Sequence, residues 1–137
     1  MKRLFLLILP LLLLSSAACK KAVEKKAEDY IIDIMTDGRW YMYVYQEQGI
    51  DYTYLFDGYE FQFYENEKVD GIKGTLISTG TWRGDISNYT ITANFESAPL
   101  PLTKLNNTWK ITDSYINAVF GEATFGTEIH KIQLVKK

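Results

Sequence analysis

The chain has 137 residues, a formal charge of −2 and 15% aromatic side chains, including ten Tyr, seven Phe and three Trp. That length suits one domain of ordinary size with a modest core. A mildly acidic chain lacks the clustered Lys and Arg that phosphate neutralisation needs, which excludes nucleic acid as a partner. A single cysteine excludes an internal disulfide.

Lys2 and Arg3 form a positive start, and Leu4 to Leu14 is an apolar run broken only by Pro10. The run of 11 residues is shorter than the roughly 20 a spanning helix needs. It therefore reads as the apolar part of an export signal over residues 1–18. Ser16, Ala17, Ala18 and Cys19 resemble the lipobox of bacterial lipoproteins, with Ser16 where that family usually carries an aliphatic residue. The resemblance implies cleavage before Cys19 and acylation of its thiol with palmitate-type chains. Two or three acyl chains hold a protein stably on a membrane, where one does so only marginally. No Asp follows Cys19, so the resemblance further implies the cell envelope and its outer membrane, with the face left open.

Residues 19–29 are charged and carry Ala, with no strand pattern, and read as a lipidated tether. Lys21, Lys25, Glu24 and Glu28 are spaced to lie along a helix surface. Tyr30, Ile31, Ile34 and Met35 then recur at helical spacing, and Gly38 fits a helix stop. The expectation is a short helix over 30–37 that covers one end of the strand-rich remainder.

From Arg39 the chain changes to short runs rich in Tyr, Phe, Trp, Thr, Ile and Val. Eight strands are expected, at about 39–46, 59–65, 69–77, 79–86, 88–96, 107–113, 115–121 and 128–136. Turns are expected at 65–68, Ser78–Thr79, Ser87–Asn88 and near Gly126. Tyr89, Ile91, Ala93 and Phe95 share one face, with Thr90, Thr92, Asn94 and Glu96 on the other. One apolar and one polar face imply an antiparallel sheet wetted on one side. Eight short strands with tight links point to an all-β, eight-stranded antiparallel up-and-down barrel over 30–137, because closure removes exposed edges. The alternative is a β-sandwich, with 97–106 as its crossover. In the link 47–58, Tyr54, Leu55 and Phe56 are placed to fold over a barrel mouth.

Gly38-Arg39-Trp40 at the first strand resembles the Gly-x-Trp signature of lipocalins, whose Trp plugs the closed end of an eight-stranded barrel. Asp51-x-Thr53 with Phe56, Tyr59-x-Phe61-x-Phe63, Gly80-x-Trp82, Pro101-Leu102 with Leu105, and Trp109 extend the pattern. The chain thus looks like the small lipocalin-like lipoproteins of Bacteroidota. The Arg that lipocalins place over that Trp has Lys131, Lys136 and Lys137 as its only counterparts here. The resemblance implies the fold and a small hydrophobic ligand.

The residues expected to face the interior are Met42, Val44, Phe61, Phe63, Leu76, Trp82, Tyr89, Ile91, Trp109, Ile132 and Leu134. The ligand candidates among them are Met42, Val44, Phe61, Phe63, Trp82, Tyr89, Ile91 and Trp109. Tyr41, Tyr43 and Tyr45 alternate with Trp40, Met42 and Val44, which leaves an outward Tyr row suited to cross-strand packing or to a partner. His130 is the only histidine; a pairing with Asp113 at one mouth is conceivable, but two solvated rim residues are the plainer reading. One His without a spare Cys offers little to zinc. No nucleophile, carboxylate pair or phosphate loop has a recognisable setting. The chain is therefore expected to be no enzyme and to use no cofactor or metal. Two functions remain open: a lipid-anchored module binding a small hydrophobic ligand, or an interaction lipoprotein with a solid core and an envelope protein as partner.

Overall fold

The computed structural model describes residues 5–137, with side chains from residue 18 onward. The expected signal 1–18 lies, apart from the Ala18 side chain, outside the described side chains. Among the described residues, one α-helix and nine strands run in order: α1 Phe5–Thr36, β1 Trp40–Glu47, β2 Ile50–Asp51, β3 Tyr59–Phe63, β4 Lys68–Lys73, β5 Leu76–Asp85, β6 Thr90–Asn94, β7 Asn107–Tyr115, β8 Ala118–Phe125 and β9 Glu128–Lys136. β2 is a stub folded back on β1. The other eight pair antiparallel with their chain neighbours, and β9 returns to β1, closing an up-and-down barrel. The sandwich is thereby set aside, since β6 and β7 lie side by side and no crossover is needed. The link between them instead carries a turn of 3-10 helix, Leu102–Leu105, that buries both of its leucines.

The helix is longer than expected and runs through the tether without a break. Lys, Ala and Glu are strong helix formers, and residues 20–36 hold no Gly or Pro. It stops where expected, with Gly38 in the left-handed region at φ +77°. The β4–β5 turn lies at Gly74–Thr75, not at Ser78–Thr79. Lys73 pairs with Leu76, and Gly74 at φ +61° supplies the first position of a two-residue hairpin. Gly80 is consequently mid-strand, where a Cβ would lie 2.8 Å from the Phe95 ring.

Two β-bulges rephase strands that sequence alternation treats as regular. In β1 the register slips between Met42 and Val44, leaving Tyr43 as the extra residue. Each residue after the bulge turns to the opposite face. Val44 is therefore only half-buried, and Tyr45 is fully buried instead of completing the outward row. Tyr41 and Tyr43 remain outside, edge to face at 6.4 Å. In β7 the slip falls between Ile111 and Asp113 and turns Asp113 outward.

The core holds Met42, Phe61, Phe63, Trp82, Trp109 and Leu134 as expected, with Ile91 and Ile132 partly buried against it. Two expectations fail at strand ends. Tyr89 sits in the β5–β6 turn at φ +53° and is 64% exposed. Leu76 keeps the phase of Trp82 but lies at the very start of β5, beyond the packed interior, and is 73% exposed.

Each tryptophan N–H donates to a backbone carbonyl at 2.9 Å: Trp40 to Met35, Trp82 to Tyr64 and Trp109 to Leu105. Burying an indole without a partner would forfeit the full desolvation cost of that group, about 1–3 kcal/mol. The Trp40 bond also ties the end of α1 to the barrel. Lys136 strengthens this junction. Its Nζ donates to the Ile34 carbonyl at 3.0 Å and lies 5.1 Å from the centre of the Trp40 ring. A cation here satisfies a terminal helix carbonyl and meets the negative end of the helix dipole.

Candidate functional site

Ala27, Tyr30, Ile31, Ile34 and Met35 fall at the i, i+3, i+4, i+7, i+8 positions of α1 and form one stripe. The stripe lies over the barrel mouth formed by the end of β5, the starts of β6 and β8 and the end of β7. Helix and mouth do not close completely. A groove of about 340 Å³ remains, walled opposite the stripe by Gly84, Asp85, Ile86, Tyr89, Thr90, Ile91, Ile111, Ser114, Tyr115, Ile116 and Val119. That volume lies within the range of small-molecule sites, roughly 300–1,000 Å³, and the mostly apolar walls suit such a site.

The barrel axis differs. Its void is only about 40 Å³, walled entirely by apolar side chains including Met42, Phe61, Phe63, Ile91, Trp109, Ile132 and Leu134. A cavity that takes up benzene is about 150 Å³, so the interior is filled by its own side chains. Met35, Ile91, Ile111 and Val119 line both spaces and form the floor between them.

Of the ligand candidates read from the sequence, Ile91 and Tyr89 line the groove, and Tyr89 does so from the rim. Met42, Phe61, Phe63 and Trp109 line the small void. Trp82 packs edge-on against Phe63, ring centres 5.3 Å apart. Val44 lines neither space. Sequence reasoning missed Ile86, Tyr115 and Ile116. Ile86 and Ile116 lie in turns, and Tyr115 ends β7, where strand residues are expected from the sequence.

The groove has few polar points. Asp85 accepts from the Asn88 backbone N–H at 3.2 Å and from its side-chain amide at 2.7 Å. These bonds hold its carboxyl below the usual carboxylate range. The Tyr115 hydroxyl donates to Asp113 at 3.0 Å, which pushes the phenol up.

His130 lies at the opposite end of the barrel from Asp113. It pairs with Ala123 near the β8–β9 turn, whereas Asp113 pairs with Phe120 near the β7–β8 turn. The suggested pair does not form, and His130 is not a solvated rim residue, being 6% exposed. It stacks on Phe125 at 4.2 Å, with Nδ1 3.4 Å from Tyr45 Oη and Nε2 3.1 Å from Glu128. Tyr45 donates to Glu47 at 2.9 Å, and Lys104 donates to the same oxygen at 2.6 Å. Burial and the Glu47 hydrogen bond push the Tyr45 phenol up. Burial would also raise Glu47, but the bonds from Lys104 and Tyr45 outweigh it and hold the carboxyl low. None of these side chains lines the groove or the void. Among the described residues, no three His, Cys, Asp or Glu side chains are placed to hold a metal ion.

Fold and groove together define a small closed β-barrel protein with a helix across one mouth. No protein-family model matches the chain, and no curated protein does. Among solved structures it is similar to the crystal structure of a DUF4847 family protein from Bacteroides vulgatus, with a TM-score of 0.57 and 16% identity, covering 78% of this chain and 97% of that one. At that identity the likeness is one of fold.

Proposed function

We propose that this protein is a lipid-anchored lipoprotein of the bacterial envelope that binds a small hydrophobic ligand in the groove beneath α1. The observation that carries the ligand reading is the contrast in volume, about 340 Å³ under the helix against about 40 Å³ on the axis. The site is therefore the mouth and not the lumen that the lipocalin analogy implies. Fold likeness does not fix function, so the reading rests on the groove itself. In support of the anchor, Cys19 is exposed on α1, eight residues before Ala27. At 1.5 Å per residue this sets the acylated thiol about 12 Å from the groove along the helix. The lipocalin-like character draws support from Lys136, which lies over Trp40 where lipocalins use Arg.

Titration with N-phenyl-1-naphthylamine, a neutral apolar fluorophore, tests the groove. Wild type should show a saturable rise in emission, and Ile34→Trp, which fills the groove, should lose it. An equal response from both would remove the ligand reading. Metabolic labelling with an alkynyl palmitate tests the anchor, and incorporation that persists in Cys19→Ser would refute it.

A second reading is favoured by the packed axis: an interaction lipoprotein that meets an envelope protein through Tyr41 and Tyr43. Tyrosine supplies contact area at low entropic cost. Cross-linking on intact cells should then lose its adduct in Tyr43→Ala, while stability changes by no more than about 0.5 kcal/mol.

A further inference from the structure

The walls of the groove carry charge of one sign. Among the described residues, no Lys, Arg or His lines it, and its one ionisable acid is Asp85. Arg83 precedes Asp85 on β5 by two residues and helps to hold its carboxyl low, but its side chain lines an adjoining hollow with Glu28, Glu65 and Glu67 and not the groove. Lys25 and Lys26 of α1 do not line the groove, and Lys136, at the end of the helix, is already bound to the Ile34 carbonyl and to Asp37. Three tyrosines, Tyr30, Tyr89 and Tyr115, stand on the rim, each more than half exposed. Beside Tyr115 stands a second carboxylate, Asp113, which accepts its hydroxyl.

A carboxylate head entering this groove would give up water and find no cation on its walls to replace it. An ammonium head would meet the reverse: a carboxylate at Asp85 and the negative faces of aromatic rings. The apolar floor of Met35, Ile91, Ile111 and Val119 would take the tail. The volume allows one short chain. We propose that the groove selects single-chain amphipaths with a cationic, ammonium-type head over those with a carboxylate. This inference rests on the groove being the ligand site.

Three probes with the same tail separate the two ideas: octyltrimethylammonium, octyl glucoside and octanoate. Each is titrated against the full chain held in phosphatidylcholine nanodiscs, with empty discs subtracted. The readout is the methyl NMR shift of labelled Ile31, Ile34, Ile91 and Ile116. Octyltrimethylammonium should bind about tenfold more tightly than octanoate, with the glucoside between them. Asp85→Asn, which keeps an oxygen for Asn88, should bring the three within about twofold of one another, and its melting temperature reports that the turn survives. Octanoate binding as tightly as the cation, or an unchanged ratio in Asp85→Asn, overturns the head-group selection while leaving the groove as a site. Silence from all three probes overturns both.

Discussion

The two ends of the barrel are closed by different means. The end holding His130 is sealed by its own links: Phe56 and the 3-10 turn bearing Leu102 and Leu105 are buried in the core cluster. Tyr45, Glu47, Lys104 and His130 satisfy one another behind them. The end under α1 is closed by a separate element laid across it, held by the Met35 side chain, the Trp40 indole and Lys136. Short links packed from within leave no slack. A straight rod over a round mouth touches it along one line and leaves a groove beside it. Where this fold leaves room for a ligand thus depends on which end is covered by a helix.

The comparison can be broken most forcefully at the sealed end. Trp109→Ala removes a fully buried indole and strands the Leu105 carbonyl, and should cost about 3–5 kcal/mol in urea unfolding. Met35→Ala acts on the floor between groove and void. It should cost about 2 kcal/mol, the low end for such truncations, because the new space opens into the groove. Alkyl ligands should restore much of that loss in the mutant, since they bind only the folded form. A full-sized loss that ligands do not relieve would mean that the two spaces do not join. Lys136→Met keeps the stem over Trp40 but loses the bond to Ile34. It should cost about 1 kcal/mol, and hydrogen exchange should quicken at residues 31–36 while the strands stay protected.

The smallest effect is a pH dependence at the sealed end. The folded state holds Glu47 below its ordinary value of 4.5, so the unfolded chain takes up its proton first as pH falls. The stability this group contributes is therefore complete above that value and fades as pH drops through the folded pKa. Thermal melts of wild type should fall more steeply than those of Glu47→Gln between about pH 5 and pH 3. Parallel curves would show that the Lys104–Glu47 pair contributes nothing measurable, as exposed pairs often do.

Much of the architecture was legible beforehand. Alternation places Phe61 and Phe63 inward, Gly38 stops the helix, and the count of eight barrel strands comes from apolar runs and turn residues. Each of these signals is local, carried by residues within a few positions of one another. The Ser78–Thr79 turn and the extent of α1 were misread locally; the other failures depend on distant partners. Nothing within Trp40–Glu47 marks Tyr43 as the bulge that buries Tyr45, because the slip exists only relative to Leu134 and Gln133 on β9. Tyr89 and Leu76 have the right phase but stand where no opposing layer reaches them.

The site divides in the same way. The amino-acid sequence by itself determined a helical apolar stripe at Tyr30, Ile31, Ile34 and Met35 and a ring of inward aromatics, since both are periodicities of one segment. Only the tertiary structure decided that the aromatics fill the axis and that the stripe leaves a space open above Ile91 and Val119. Volume is a property of surfaces brought together from remote parts of the chain, and no single stretch of residues encodes it.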